Sequence, residues 1–246
     1  MRALGVATAL IGGWALAVWL IQPSPLLFPG PAAVAVALWE QCLAGILPRA
    51  VGASLLRMLV GYGLAIGLGL AIGLLGAWRP ARGAVAGLCN AMQSIPSVCW
   101  LPLALLWFGL SDSAVVLVVV LGATWSIALA VLDGLSNTPP LLLKAAKTLG
   151  CGHRRTILQV RLPAAWPAIL TGLKLGWAFA WRSLMAAELL YSEQGLGRMM
   201  VYGRDLGDMP LVMAVMVVIL AIGLAANRLG WEPLERVTRR RWGLAA

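Results

Sequence analysis

The stretch PPLLLKAAKTLGCGHRRTILQVRLPAAWP, from Pro139 to Pro167, is the longest interval of this sequence that could not lie in a lipid bilayer. Long apolar runs stand on both sides of it, and it carries five basic residues and no acidic residue. The basic residues are Lys144, Lys147, Arg154, Arg155 and Arg161. A membrane protein that keeps one substantial polar segment usually presents it to another molecule. The segment therefore predicts a partner-binding loop between two membrane spans.

The composition places the whole chain in the membrane class. Of its 246 residues, 61% are hydrophobic and 11% are charged, and the mean hydropathy is +0.89. A soluble domain carries roughly 25% charged residues, so less than half of the usual polar coat is present. The net charge of +10 would suggest nucleic acid in a soluble protein. No motif that reads nucleic acid interrupts the apolar runs, so the expected surroundings are the lipid bilayer and no nucleic-acid partner is expected.

Metal, cofactor and catalytic signals are missing from the sequence. The four cysteines show no paired spacing, and Cys151 with the single histidine, His153, supplies too few ligands for zinc. There is no glycine-rich phosphate loop ending in Lys-Ser/Thr and no constellation of nucleophile, acid and base. We therefore expect no metal, no cofactor and no catalytic residue. A transporter remains, either a secondary one or one driven by a separate subunit.

Six apolar runs are long enough to cross a bilayer as helices. They cover residues 4–21, 51–78, 84–110, 114–132, 168–190 and 211–229. The first run could be a signal peptide, but its length and the Gln22-Pro23-Ser24-Pro25 sequence after it favour an uncleaved helix. Residues 22–49 have apolar residues at helical spacing and an apolar core too short for a span. They predict a short interfacial helix on the outer surface, with a second span as the weaker alternative.

Six glycines between Gly61 and Gly76, within the second run, predict close packing between helices. The pairs Gly63/Gly67 and Gly69/Gly73 have the four-residue spacing that lets helix backbones approach closely in lipid. Glycine also lowers helix stability in water. We therefore expect this helix to be central in the bundle and away from lipid.

Two prolines, Pro96 and Pro102, interrupt the third run. Each lacks a backbone N–H and frees a carbonyl from the helix. Irregular backbone at membrane depth is tolerated only where protein or a watery cavity satisfies it. The pattern predicts a broken or kinked helix that lines a translocation path, and a packing kink without a transport role is the alternative.

The distribution of positive charge predicts which side each loop faces. With both termini cytosolic, the inner segments hold 13 of the 19 Lys and Arg residues, and the outer segments hold only Arg49, Arg198 and Arg204. This positive-inside bias places the Pro139–Pro167 segment in the cytosol. The expected parts of the chain are an N-terminal helix with an outer segment (1–49), a core (50–230) that includes a cytosolic loop (134–165), and a basic cytosolic tail (231–246).

The cytosolic segment contains a spaced motif. Lys144-Ala145-Ala146 is followed by three residues, Gly150, nine residues and Val160-Arg161-Leu162-Pro163. This resembles the EAA motif of ABC importer permeases, in which Glu-Ala-Ala, three residues, Gly, nine residues and Ile-x-Leu-Pro follow one another. The spacing is kept throughout, valine replaces isoleucine, and Lys144 replaces the leading glutamate.

The resemblance implies that this motif couples the chain to an ATPase. The residues it assigns to coupling are Lys144, Ala145, Ala146, Gly150, Val160, Leu162 and Pro163. The small residues would let a short helix sit closely in a groove of the partner, with Gly150 ending that helix and Pro163 marking the start of the next element. Lys144 puts the usual glutamate contact in doubt and could pair with an acidic residue instead. A loop that merely links two spans is the alternative.

Further stretches are similar to the nitrate/sulfonate/taurine-type permeases of the same family, so the resemblance covers nearly the whole chain. They are Ser54-Leu55-Leu56-Arg57, Ile95-Pro96-Ser97, Trp107-Phe108-Gly109, Ala186-Ala187-Glu188 and Gly195-Leu196-Gly197. The resemblance implies an all-α integral membrane protein of about six transmembrane helices with the type I, MetI-like importer permease fold. It also implies a bacterial inner membrane, a cytosolic ATPase dimer, an extracytoplasmic solute-binding protein and a second permease copy in a homodimer.

Charged residues inside the predicted spans mark either a substrate path or structural ion pairs. Arg57 and Arg182 lie at similar depths from the outer ends of their spans, and buried arginines usually face a cavity or a partner. Glu188 could instead neutralise Arg57 as a structural pair. If the arginines face the path, together with Pro96 and Pro102, the cargo is an anion or zwitterion such as a sulfonate, a nitrate or a pyrimidine-like precursor.

Two other classes of function remain as rivals. A secondary transporter or channel would work without an ATPase, but we find no inverted repeat between the halves of the sequence. A membrane scaffold would leave the proline-broken third run without a purpose.

Overall fold

The chain is described by a computed structural model that covers residues 2–22, 24 and 27–242. Every regular element in these ranges is helical, as the sequence predicts. The α-helices are α1 (Arg2–Ile21), α2 (Pro31–Leu43), α3 (Ile46–Gly76), α4 (Arg82–Ser94), α5 (Leu101–Phe108), α6 (Asp112–Ser136), α7 (Pro140–Thr148), α8 (His153–Arg155), α9 (Leu162–Leu190), α10 (Leu196–Asp205), α11 (Met209–Ala225) and α12 (Glu232–Arg241). Short 3₁₀ turns cover Arg79–Ala81 and Ser97–Trp100.

The helices fall into two compact units. The first contains residues 1–55 and 188–224, and the second contains residues 56–187 and 225–246. In the first unit α1 packs beside α2, where Trp14 and Phe28 meet edge to face at 6.3 Å between ring centroids. In the same unit α10 approaches α11 so closely that a Cβ at Gly203 would lie 3.0 Å from Val212.

Helix α6 is the core of the second unit. Of the most apolar part of α6, 61% is buried, whereas the corresponding share in α3 is 33%. Four side chains of α6 are fully covered: Val115, Val118, Ile127 and Val131. The sequence had placed α3 at the centre, and this was wrong. One face of α3 is exposed along its length, including Leu59, Leu64 and Leu75, because only the opposite stripe, which includes Gly69 and Gly73, contacts a neighbouring helix.

That stripe of α3 packs directly on α6. A Cβ at Gly69 would lie 2.7 Å from the Cβ of Ile127, and one at Gly73 would lie 2.5 Å from the Cβ of Val131. At Gly63 and Gly67 nothing lies within 4 Å. Of the two predicted pairs, Gly69/Gly73 therefore forms a close helix contact in this chain and Gly63/Gly67 does not.

Three helices are long and apolar enough to cross a membrane among the described residues, and the number rises to four if one bent pair counts as a single span. The three are α3 (Ile46–Gly76), α6 (Asp112–Ser136) and the continuous helical stretch Met209–Arg241, which contains α11 and α12. Helix α9 has 29 residues but carries Lys174, Arg182 and Glu188, and it is not among them. The second predicted span begins five residues earlier than expected, so Leu47 lies in α3 and not in α2.

The bent pair is the proline-interrupted run, with 89° between Arg82–Ser94 and Ser97–Phe108. The predicted break is present, and it lies at Ile95-Pro96. Ile95 is extended (φ −85°, ψ 119°), as expected for a residue before proline. Pro102 does not break a helix, because it lies in the first turn of α5, where its missing N–H has no intrahelical acceptor.

Two π-helical turns also precede prolines. Thr156–Arg161 leads into Leu162-Pro163, and Ala226–Trp231 leads into Glu232-Pro233. Proline cannot donate to the carbonyl four residues earlier, and its ring crowds that carbonyl. A wider turn before the proline relieves this crowding. The predicted basic tail is helical through Arg241. Its last residues, 243–246, lie outside the described residues, as do Pro23 and Pro25 near the N-terminus.

We expect Gly73→Ala to destabilise the protein and Gly63→Ala to leave it unchanged or slightly more stable. The added methyl group at Gly73 would overlap Val131, and overpacking of this kind costs about 1–3 kcal/mol. At Gly63 alanine meets open space and has the better helix propensity, by about 1 kcal/mol. The thermal midpoint of each variant in detergent, monitored by size-exclusion chromatography, distinguishes Gly73→Ala from Gly63→Ala. Equal midpoints would show that α3 does not rest on α6 at Gly73.

Candidate functional site

The coupling segment predicted from the sequence forms a short helix with a sharp end. Helix α7 stops at Thr148, and Gly150 follows with φ +71°. The Gly150 N–H donates to Lys147 O at 3.1 Å, and the Cys151 N–H donates to Ala146 O at 3.0 Å. This is the Schellman arrangement, which requires a left-handed residue at the position of Gly150. A residue with a Cβ there would be strained.

One face of α7 is turned away from the rest of the chain. Ala146 is 4% exposed and anchors the helix, whereas Lys144 and Ala145 are exposed. Leu141 and Leu149 are 76% and 81% exposed. An exposed face that combines a small residue with large apolar side chains is suited to close contact with another protein.

The second half of the motif returns the chain to the bundle. Val160 lies in the first π-helical turn, and Leu162 and Pro163 begin α9. Between them, Arg161 donates from Nη2 to the Leu135 carbonyl at the end of α6, at 2.9 Å. The indole N–H of Trp242 donates to the Pro163 carbonyl at 3.0 Å. The motif is therefore attached to both α6 and the C-terminal helix.

Two of the residues predicted for a translocation path line one cavity in the second unit. Pro96 and Arg182 border a cavity of about 300 Å³ together with Gln93, Trp125 and Phe179. The Arg182 guanidinium lies 4.9 Å from the centre of the Phe179 ring, a cation–π contact, and its side chain is exposed. Arg57 and Pro102 do not line this cavity.

A serine pair closes one wall of the same cavity. Ser97 Oγ and Ser183 Oγ are 2.6 Å apart. Ser183 donates its single hydrogen to the Phe179 carbonyl at 2.8 Å, so Ser97 is the donor within the pair. This bond joins the broken segment after Pro96 to α9. Gly122 of α6 packs directly against both serines.

Arg57 forms an ion pair that the sequence analysis missed. Its Nη2 is 2.7 Å from Asp112 Oδ1, and its Nε donates to the same oxygen at 2.8 Å. Arg57 is 5% exposed, whereas Asp112 is 68% exposed. The two residues are 55 positions apart, and the only signal in the sequence was a lone acid at the start of the fourth run. The predicted pairing of Arg57 with Glu188 stays a prediction.

Glu188 is the centre of a buried hydrogen-bond network in the first unit. It is 1% exposed, and its carboxylate accepts from the Ser54 hydroxyl at 2.8 Å and from the Gly197 N–H at 3.0 Å. Ser54 Oγ in turn accepts from the Leu196 N–H at 2.9 Å. The carboxylate and the hydroxyl thus bind the first turn of α10, where backbone N–H groups lack helical acceptors and negative charge is favoured.

The glycines beside this network leave room for the carboxylate. Gly195 has φ +137°, and a Cβ there would lie 2.6 Å from Glu188 Oε2. At Gly197 a Cβ would lie 2.5 Å from the Cβ of Glu188. Ala-Ala-Glu and Gly-Leu-Gly, which the sequence shows as separate stretches, therefore form one structure. Glu188 does not line the cavity that Arg182 borders.

Within the described ranges no group of three or more His, Cys, Asp or Glu side chains could hold a metal ion. The acids nearest to the features above, Asp112 and Glu188, are each occupied by the hydrogen bonds just described.

Comparison with known proteins gives one consistent result. Residues 63–230 match the family described as "Binding-protein-dependent transport system inner membrane component". A probable ABC transporter permease protein of Brucella melitensis is 32% identical over 230 residues, which cover 93% of this chain and 92% of that protein. The taurine transport system permease protein TauC of Escherichia coli is 28% identical and covers 95% of this chain and 86% of its own length.

A putative ABC transporter permease protein of Methanocaldococcus jannaschii is 36% identical over 177 residues, and the match spans 71% of this chain and 66% of that protein. Among solved structures, an inward-facing MetNI methionine ABC transporter aligns with a TM-score of 0.69 at 20% identity, covering 80% of this chain and 98% of the other. At that identity the likeness shows the fold, which is the MetI-like permease fold.

We expect Ser54→Ala to destabilise the first unit. The substitution removes a donor to a buried carboxylate and the acceptor of the Leu196 N–H, and losses of this kind cost about 1–3 kcal/mol. Ser94→Ala is the matched control, because that exposed hydroxyl bonds only to the Ala91 carbonyl of its own turn. The thermal midpoint and proteolysis of residues 191–195 measure the effect. Indistinguishable variants would show that the Glu188 network does not stabilise the α10 turn.

Proposed function

Since this chain belongs to the family of binding-protein-dependent transport system inner membrane components, and is thus a membrane permease component of an ABC importer and not an enzyme, we propose its cargo and its drive. The cargo is a small anionic or zwitterionic solute, such as a sulfonate-, taurine- or nitrate-like molecule. An extracytoplasmic binding protein delivers it, and a dimer of separate ATPase subunits drives alternating access. The permease acts as a homodimer in a bacterial inner membrane with both termini in the cytosol.

The observation that carries this proposal is the geometry of the coupling segment. Helix α7 presents Lys144 and Ala145 outward and is ended by Gly150 in a left-handed turn. Arg161 attaches the segment to the last turn of α6. A push on α7 would therefore reach the most buried helix of the second unit without passing through a flexible linker. This supports the roles assigned to Lys144, Ala145, Ala146, Gly150, Val160, Leu162 and Pro163.

The cavity lined by Arg182 supports the anionic cargo. Arginine keeps its proton in proteins, so an exposed guanidinium keeps a positive charge at the cavity wall. The names of two kinds of relative agree with this, since TauC is a taurine permease protein and others are putative aliphatic sulfonates transport permease proteins. Arg57 has its own partner in Asp112, so its proposed role is structural, and Arg182 is the residue proposed to meet the solute.

We expect Ala145→Tyr to abolish coupling while the chain still folds. Ala145 is exposed, so a large side chain costs little in the permease but blocks close contact with a groove. Retention of the ATPase in co-purification should fall about tenfold or more, equivalent to ~1.4 kcal/mol. Ala35→Tyr, the same change at an exposed position of α2, is the control and should retain the partner.

The same pair of variants distinguishes the proposed ATP-driven importer from its main rival. A secondary transporter or channel would take up solute in liposomes without any ATPase, and Ala145→Tyr would not affect it. ATP-independent uptake by the unaltered chain, or full ATPase retention by Ala145→Tyr, would contradict the proposed drive.

We expect Arg182→Gln to reduce uptake of an anionic sulfonate by the assembled importer. The substitution removes a charge from the cavity wall. Exposed charge contacts are worth about 0.2–1 kcal/mol, so a loss of up to about fivefold is expected at ~0.1 M salt. Arg204→Gln, which removes an exposed arginine that is paired with Asp205, serves as the matched control. Uptake that is equal in both variants, with ATPase retention intact, would remove Arg182 from the proposed path.

A further inference from the structure

The first unit contains a cavity of its own, which shares no lining residue with the cavity that Arg182 borders. It has a volume of about 420 Å³ and lies between the α2–α3 corner and the segment that leads into α10. Its lining residues include the charged side chains Arg49, Arg198 and Glu193. Its apolar lining consists of Ile46, Ala50, Met199 and Leu211. The positive-inside bias predicts that these loops face the outer side of the membrane.

The three charges at this cavity are not used by the fold. Within the described part of the chain, the side chains of Arg49, Arg198 and Glu193 make no hydrogen bond or ion pair. The nearby Arg204 of α10 behaves differently, since it pairs with Asp205 at 2.9 Å. Two cations and one anion therefore border the same cavity, with the opposite charges more than a salt-bridge distance apart. Such an arrangement is open to a ligand that carries both signs of charge.

We propose that this cavity binds a small zwitterion in which an oxyanion and an ammonium group are separated by a short apolar link, as in a 2-aminoalkanesulfonate. The two guanidinium groups hold the oxyanion, Glu193 holds the ammonium group, and the link lies on the apolar lining. The site would be a waiting position for solute on the outer side of the permease. The choice of a solute as occupant rests on the proposed function.

The chemistry of the three groups explains this choice of ligand. A guanidinium presents paired N–H donors that match a tetrahedral or planar oxyanion, which a lysine cannot do. Glu193 would disfavour a plain anion and favour a ligand with its own cation. Tyr202 and Gln41, which also line the cavity, supply further donors. Because all three charged side chains are exposed, water and salt screen them, so binding should be weak and should strengthen at low ionic strength.

The same chemistry has a second natural source. The headgroup of phosphatidylethanolamine also joins an oxyanion to an ammonium group through two carbons. A phosphatidylcholine headgroup carries no N–H and cannot donate to Glu193. Lipid composition can therefore tell a free solute from a lipid headgroup at this site.

The experiment measures binding to the full-length permease in phosphatidylcholine nanodiscs, with no ATPase and no binding protein. The probes are 2-aminoethanesulfonate and ethanesulfonate, which differ only in the ammonium group. We expect the aminosulfonate to bind about two- to fivefold more tightly, and we expect Glu193→Gln to remove that difference. The Arg49→Gln/Arg198→Gln double variant should weaken both probes by about tenfold.

The control is Arg204→Gln, the same change on α10 at an arginine that does not line the cavity. It should leave both affinities unchanged. All four substitutions replace exposed side chains, and thermal midpoints confirm that each variant is folded. In phosphatidylethanolamine nanodiscs, a weakened apparent affinity for the aminosulfonate identifies the lipid headgroup as occupant, and an unchanged affinity identifies the free solute.

The inference is overturned if the unaltered permease shows no saturable binding of the aminosulfonate in phosphatidylcholine, or if Arg204→Gln weakens binding as much as the double variant. Neither result affects the proposed drive, which is judged by ATPase retention in Ala145→Tyr. Conversely, full ATPase retention by Ala145→Tyr would contradict the proposed drive and would leave this binding measurement intact.

Discussion

The close approach of two helices to α6 is the constraint on which the second unit depends. Helix α3 reaches α6 at Gly69 and Gly73, and α9 reaches the same helix at Gly172 and Gly176. In lipid the hydrophobic effect does not drive helices together, so association relies on close van der Waals contact. Glycine permits that contact, because no side chain separates the two backbones. Helix α6 is therefore the centre of the second unit.

The central position of α6 bears on the role that we propose for the coupling segment. Helix α7 follows α6 after a three-residue connection, and Arg161 binds the α6 carbonyl of Leu135 from the far end of the motif. The chain on both sides of the Gly150 turn is therefore attached to one helix. A partner that moves α7 would act on α6 as a lever and would also reach α9, which begins at the Leu-Pro end of the motif. The π-helical turn before Pro163 lets α9 begin without a steric clash at that point.

The charged residues divide into buried ones with partners inside the fold and exposed ones that border cavities. Arg57 with Asp112, and Glu188 with Ser54 and Gly197, have partners inside their own units. A buried ion without such partners would cost several kcal/mol, which explains why these residues lie where donors or acceptors meet them. Arg182, Arg49 and Arg198 are exposed and border cavities. The charges that we propose to face a ligand are therefore the exposed ones.

The sequence alone determined the membrane class, the all-helical fold, the helical break at Pro96 and the spacing of the coupling motif, because each depends on local composition or on residues close together in the chain. It could not determine that α6 and not α3 is central, since glycine spacing does not show which face of a helix has a neighbour. It also could not show that Asp112 is the partner of Arg57 or that Arg49, Arg198 and Glu193 border one cavity. These groups are brought together from distant positions, and only the packing of the helices decides which of them meet.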